Sequence, residues 1–502
     1  MSRPNKTRRG QSGVYIGERK GLFNSMLRLF GADRSVVVPS NYSGPMAIVG
    51  GSGSGKTAGP VLNTLCRTYR DGSFFAVDLK GDLFDKYTEA NPGAMVKVFS
   101  LRGESEYTYE PFEYIREASE VDLVSNMREL VNALLPLPTN VSDPFWVQSS
   151  REFLTGGLLY YYDMNEMNFI EAVKNIMTTP PTELITKIGK CGNDQTKSFI
   201  NNFLGDTSCD DNKLLIGIGQ EVTNRLSVIA NDPRVCKALS PSEKRIRWTD
   251  LESYNIFLSV PEDRLEQYSP VIAMMITQLI RSLERRNEKH SLEGVNQRRV
   301  MVMLDETPRL GKIDVIASAV STLRSKNVIF CLVFQSLAQL DAVYGRDVRR
   351  IILDNCSYLA VLSVNDVESQ KYFAERAGTI LVERRSKSTS YVPVRKAADS
   401  TAPVHRQITG YSEQVSETRE YAIQPHEFAT LKDIVLFTPD GHTRVKKAPY
   451  HEPNTATKIR ERIINTVHKF SEVATKVVSK VNSFVSSCIG WIKRNFFGFG
   501  RT

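Results

Sequence analysis

Gly50-Gly51-Ser52-Gly53-Ser54-Gly55-Lys56-Thr57 fits the pattern G-x-x-x-x-G-K-[ST]. In that pattern the backbone N–H groups of a glycine-rich loop wrap a polyphosphate. The lysine reaches the outer phosphates and the final hydroxyl takes Mg²⁺. The flanks fit as well. Pro45 to Val49 is a short apolar run suited to a buried strand, and Ala58 to Tyr69 carries apolar residues at helical spacing. Strand, glycine loop and helix start come in the required order, which a flexible glycine linker would match only by accident.

A nucleotide loop of this kind needs a second, acidic site. Val300 to Glu306, read VMVMLDE, is a buried-strand pattern ending in Asp305, placed to hold the Mg²⁺ shell, and Glu306, placed to polarise an attacking water. An apolar pentad before two acids is a weak signal alone and a strong one beside the glycine loop. Another apolar run, Val328 to Phe334, ends at Gln335, whose neutral amide can hydrogen-bond a γ-phosphate or a water. Arg324 closes a helical stretch that begins near Ile313. There it can reach a neighbouring subunit's nucleotide as an arginine finger, or simply act as a favourable cation at a helix end. Asp78-Leu79-Lys80-Gly81-Asp82 follows the next strand and belongs beside the phosphates of an open α/β sheet, as a second-rank set.

Strand patterns at Val36–Val38, Met46–Val49, Ser73–Asp78 and Met95–Phe99 alternate with helical ones, as βαβ units demand. From Asp143 to Leu239 only helical periodicity is found, which predicts an all-helical insertion. Strands resume at Asn255–Val260, Val300–Leu304, Val328–Phe334, Tyr358–Leu362 and Ile434–Phe437, with a long helix over Ser269–Arg286. Residues 379–420 lack periodicity and read as a surface excursion, mobile or hairpin-like. The expected organisation is therefore a basic N-terminal arm (1–34), which includes a possible short amphipathic helix at Gly21–Phe30. The first part of the nucleotide-binding unit (35–142), the helical insertion (143–239), the second part (240–453) and an amphipathic helical tail (454–502) follow.

Charge is unevenly spread. The net +9 is less than the excess held by the two ends together. Residues 1–34 have eight Lys or Arg against two acids, and residues 458–502 nine against two, so the body between is mildly acidic. Overall charge is thus no evidence for DNA binding. Seven cysteines, far apart and without zinc or redox spacing, imply a reducing cytosol. No run is long and apolar enough for a spanning helix and no secretory signal is evident. In the tail, apolar residues from Ile463 to Cys488 recur at three- and four-residue steps opposite lysines and serines, ending in Trp491 to Phe497. That pattern suits an interfacial membrane helix, a partner helix or packing on the body.

Taken together the chain resembles the type IV secretion coupling proteins, the hexameric ATPases that deliver conjugative DNA or protein substrates to a secretion channel. The resemblance rests on GGSGSGKTAGPVLNTL from Gly50, DLKGDLF from Asp78, DPFW from Asp143, LDETPRLGK from Leu304, FQSLAQLDAVYG from Phe334, NDVESQKYFAERAG from Asn365 and PHEFATLKD from Pro425. It implies an α/β, RecA-like P-loop domain with a parallel-rich sheet and ATP and Mg²⁺ as ligands. Lys56 and Thr57 would be the nucleotide clamp, Asp305 and Glu306 the Walker B pair, Gln335 the sensor and Arg324 the finger. The helical insertion would engage substrate. Leu79 stands where proline is usual and Thr307 where a large apolar residue is usual, departures that should alter packing rather than chemistry.

Implied partners are DNA, a relaxase or an effector protein, channel components, and further copies in a homo-hexamer. Many members begin with spanning helices, so a membrane partner or the tail on an anionic bilayer would hold this chain at the inner face of the membrane. A DNA pump outside secretion is the nearer rival, against which the DPFW and QSLAQL stretches argue. A docking hub that binds nucleotide without translocating is the other. The absence of an N-K-x-D guanine-reading motif argues against a small P-loop switch.

Overall fold

The computed structural model describes residues 12–19, 35–138, 144–165, 167–204, 212–289, 297–394 and 405–450. Among the described residues thirteen strands run in chain order: β1 (Gly13–Glu18), β2 (Ser35–Pro39), β3 (Gly44–Val49), β4 (Gly72–Asp78), β5 (Val96–Ser100), β6 (Asn255–Ser259), β7 (Arg299–Leu304), β8 (Val328–Phe334), β9 (Tyr358–Val361), β10 (Thr379–Val394), β11 (His405–Tyr421), β12 (Asp433–Thr438) and β13 (Gly441–Lys446). Eleven form one sheet in the order β2-β1-β13-β12-β9-β3-β8-β7-β4-β6-β5. From β9 to β5 every neighbouring pair is parallel, whereas β12, β13, β1 and β2 extend it antiparallel.

The parallel strands are covered on both faces, which explains why they read as unbroken apolar runs. Met46 and Ile48 of β3 and Met301 and Met303 of β7 join one core with Val61, Leu62 and Leu65 of the helix after the glycine loop. Ala47 and Val49, and Val300, Val302 and Leu304, point into the opposite core. Each such side chain, fully buried, contributes roughly 1.5–3 kcal/mol.

The second core is continuous with the helical insertion, where Phe153, Leu154, Phe169, Val173, Leu184 and Ile218 belong to the same apolar cluster. The insertion contains the helices Phe145–Asn165, Phe169–Thr178, Pro181–Cys191, Asp194–Leu204, Asn212–Asn231 and Pro233–Ala238. Asn168 starts the second of these with a capping box to Glu171. The long helix Leu265–Glu284, almost wholly buried on its apolar face, follows β6 and connects it to β7. Tyr268 Oη donates to Asp232 Oδ2 at 2.8 Å and ties this helix to the insertion.

One expectation changes and another is narrowed. Gly13–Glu18 lies inside the stretch read as a basic arm, yet it is β1 and buried along its whole length. It lies between β2 and β13 in the sheet, beneath the helix of the glycine loop, where Thr64 Oγ1 accepts from Tyr15 N at 2.9 Å. Six residues between polar neighbours were too few to show a period. Residues 379–421 contain a long antiparallel hairpin, β10 against β11, so of the two forms expected for this excursion the chain takes the hairpin. The segment Gly21–Phe30 and the tail 454–502 lie outside the described residues. Among the described residues no helix is long and apolar enough to cross a membrane.

Candidate active site

The glycine loop leaves the carboxyl end of β3 and is pinned at once to its neighbours. Gly50 N donates to Phe334 O at 3.2 Å and Gly51 N to Ser363 O at 2.6 Å. A Cβ at Gly50 would come within 2.6 Å of Ser54 Oγ and 2.8 Å of Leu362 Cβ, so only glycine allows this closeness. Gly55 turns the chain into the helix with φ of +93°, in the left-handed region. Pro60 cannot donate an N–H, and Val61 N instead reaches back five residues to Lys56 O at 3.2 Å. The helix therefore opens in a wide π-type turn at Thr57–Val61, and it ends in another at Thr64–Thr68, a distortion often found at functional sites.

The acidic strand meets this loop. Thr57 Oγ1 donates to Asp305 Oδ2 at 2.8 Å. Lys56 Nζ lies 3.7 Å from Glu306 Oε1 and donates to Gly50 O at 2.6 Å and Gly51 O at 3.3 Å. Gln335 Nε2 donates to Glu306 Oε2 at 3.1 Å. Glu306 sits at φ +52° and ψ +43°, a left-handed conformation that costs a non-glycine residue about 1–2 kcal/mol. That strain aims its carboxylate back between Lys56 and Gln335. Thr307, buried just after it, closes the turn by donating its hydroxyl to Leu304 O at 2.8 Å. The hydroxyl is satisfied where a larger apolar side chain would have no such bond.

Burial dominates the electrostatics. It pushes the Asp305 carboxyl up to about 6, against the Thr57 hydrogen bond that favours the charged form. It pulls Lys56 below the ordinary lysine value, opposed by Glu306 and Asp305. Asp78 is raised by the same cause, partly offset by backbone N–H groups of Phe84 and Gly81. Its carboxylate accepts from Gly81 N at 2.7 Å and Phe84 N at 3.1 Å, so it shapes the loop after β4.

A cleft of about 100 Å³ is lined by Ser52, Thr57, Lys80, Asp305, Glu306 and Gln335, among others. A hydroxyl and a carboxylate already touching suit Mg²⁺, which takes few protein ligands and keeps water and phosphate oxygens for the rest. Among the described residues no cluster of three or more His, Cys, Asp or Glu side chains could hold a metal by itself. The donor set fits a nucleotide-borne Mg²⁺ better than a resident one.

Arg324 is elsewhere. It is exposed, and its side chain lies beside Gly44 at the amino end of β3, whereas the glycine loop leaves the carboxyl end. Its own cleft is out of reach. Sequence reasoning gave no role to Arg309 and Glu262, which also line the cleft and pair at 2.6 Å. Arg309 follows Glu306 by three positions, which was the available signal. Glu262 gave none, because it follows β6 in the chain.

A profile of the family described as "Type IV secretory system Conjugative DNA transfer" matches residues 25–485. Protein VirD4 of Rhizobium radiobacter is 23% identical over 426 residues, covering 83% of this chain and 58% of its own length. The chain thus spans less than two thirds of that curated relative. Among solved structures, the unbound bacterial conjugative coupling protein TrwBdeltaN70 aligns with a TM-score of 0.59 at 16% identity, covering 90% of this chain and 97% of its own. TrwB in complex with ADP and Mg²⁺ gives 0.58 at 16% identity, covering 88% and 95%. At such identity the likeness establishes the fold.

Proposed function

The chain belongs to the type IV secretory system conjugative DNA transfer family, and from that premise we propose that it is an ATPase coupling nucleotide hydrolysis to delivery of DNA, a relaxase or an effector protein to a secretion channel. The observation that carries the reading is the meeting of Thr57 and Asp305, 248 positions apart, at 2.8 Å. The glycine-loop lysine and the acidic pair thereby serve one triphosphate.

Lys56 holds the outer phosphates once they displace its bonds to the loop carbonyls. Thr57 and Asp305 would hold Mg²⁺, which would supply positive charge to the phosphate oxygens. Glu306 orients the attacking water and accepts its proton, while Gln335, hydrogen-bonded to Glu306, links that event to β8 and the segment beyond it. Arg324 acts on a neighbouring subunit's site, which requires a ring, in this reading a homo-hexamer. TrwB complexed with ADP and Mg²⁺ shares this fold and supports the choice of ligands. The tail 454–502 or a membrane partner holds the ring at the inner face of the membrane.

A docking hub without turnover is disfavoured because Lys56, Asp305, Glu306 and Gln335 are all present and in contact. Hydrolysis by the purified chain with single-stranded, double-stranded and no DNA tests the reading. Turnover that depends on Lys56 and rises with DNA supports it; no turnover under any condition leaves the hub.

A further inference from the structure

Glu262 belongs to the single turn Glu262–Arg264 that leads from β6 into the helix Leu265–Glu284. Its carboxylate accepts from Arg309 Nη1 at 2.6 Å across the mouth of the cleft. Both side chains are partly exposed, at 38% for Arg309 and 47% for Glu262, and both line the same cavity as Thr57, Asp305 and Glu306. The Arg309 hydrogen bond holds Glu262 below the usual carboxylate range, with Lys80 and Arg102 adding to the effect.

Arg309 is set by the same turn that strains Glu306. Its backbone N–H donates to Glu306 O at 2.8 Å. The guanidinium is therefore tethered within three residues of the carboxylate assigned to the attacking water, in the same cleft. A planar guanidinium prefers a phosphate to a singly charged carboxylate when both are within reach, because it can bond two oxygens of the more highly charged group.

We propose that Arg309 binds the terminal phosphate of a nucleoside triphosphate in its own subunit, and that Glu262 competes with that phosphate for it. The proposal rests on the nucleotide reading given above and adds a residue to it. Triphosphate must break the Arg309–Glu262 pair to gain Arg309, whereas a diphosphate, one group shorter, leaves the pair alone. The pair thus sets discrimination between the two nucleotides, and exposed ion pairs of this kind alter equilibria by up to about fivefold.

Equilibrium binding of fluorescent mant-ATPγS and mant-ADP to the full chain tests this without turnover. Glu262→Gln should tighten mant-ATPγS by about two- to fivefold and leave mant-ADP unchanged. Arg309→Ala should weaken mant-ATPγS about tenfold, since a hydrogen bond to a charged group is lost, again sparing mant-ADP. Arg309→Lys should fall between wild type and Arg309→Ala and guards against misfolding of the alanine variant. On an Arg309→Ala background, Glu262→Gln should add nothing, because its effect passes through Arg309. Wild-type affinity in Arg309→Ala, or an effect of Glu262→Gln that persists without Arg309, overturns the proposal. Lys56→Ala distinguishes the levels: if it loses both nucleotides while Arg309→Ala loses neither, only the present proposal fails. If Lys56→Ala binds both like wild type, the nucleotide reading fails and this proposal with it.

Discussion

The carboxyl and amino ends of the same central strands differ in kind. Where β3, β7 and β8 end, Lys56, Thr57, Asp305, Glu306 and Gln335 are joined by contacts between 2.8 and 3.7 Å, with Lys56 and Asp305 buried. At the other end, Arg324 stands exposed beside Gly44. Chemistry on a phosphate needs groups held within about half an ångström, and buried strand ends supply that rigidity. Arg324 lies in the single 3-10 turn Leu323–Lys326 that follows the helix Ile316–Thr322, and an exposed arginine there is not so fixed by its own chain. In the proposed reading it acts only when a second subunit fixes it, so the first end would be complete within one subunit and the second would need a neighbour.

The sharpest way to break this contrast is Arg324→Ala. Hydrolysis per subunit should fall by up to about 10³-fold or more at concentrations where subunits associate, and should change little when they are diluted apart. An equal loss at every dilution would place Arg324 in its own site. Next in size, Glu306→Gln should lower turnover by about 10²–10⁴-fold while leaving nucleotide affinity near wild type, measured by fluorescent-nucleotide titration beside a phosphate-release assay. Parallel loss of binding would make Glu306 a structural residue.

The third prediction concerns the antiparallel edge. Ile16→Ala in β1 should destabilise the whole nucleotide-binding unit by about 2–5 kcal/mol in denaturant melts, because Ile16 is fully buried in the core under the glycine-loop helix. A loosely attached arm would show almost no change. The smallest effect belongs to Gln335→Ala, which removes one hydrogen bond from a neutral amide to the Glu306 carboxylate. Turnover should fall about tenfold or less, with no change in affinity.

Much of the carboxyl end was legible before any coordinates. The glycine loop has a fixed spacing, and β3, β4, β7 and β8, buried on both faces, announce themselves as apolar runs. Five of the insertion's described helices, each of ten residues or more, were legible for a related reason, since their apolar positions repeat at helical steps, whereas the six-residue Pro233–Ala238 was not read. What escaped was decided by neighbours rather than by local pattern. β13 has only Val445 buried and gains its place from pairing with β12 and β1. β1 is too short for a period, and β10 and β11 pair through serines and charges with no alternation to read. Glu262 enters the cleft from β6, and no spacing rule connects it to Arg309. Arg324 was read as closing the helix that begins near Ile313; that helix is Ile316–Thr322 and Arg324 lies in the single 3-10 turn after it, while the distance between its strand end and the cleft exists only in three dimensions.

Convergence of Lys56 and Asp305 on one triphosphate is the claim from which the rest follows, and Mg²⁺ reads it most directly. The affinity of mant-ATPγS should be measured with and without Mg²⁺ for wild type, Lys56→Ala and Asp305→Asn. If the groups share one nucleotide, Mg²⁺ tightens the wild type, Asp305→Asn loses most of that tightening, and Lys56→Ala is weak in both conditions. An Asp305→Asn protein whose Mg²⁺ response matches wild type would contradict a shared site.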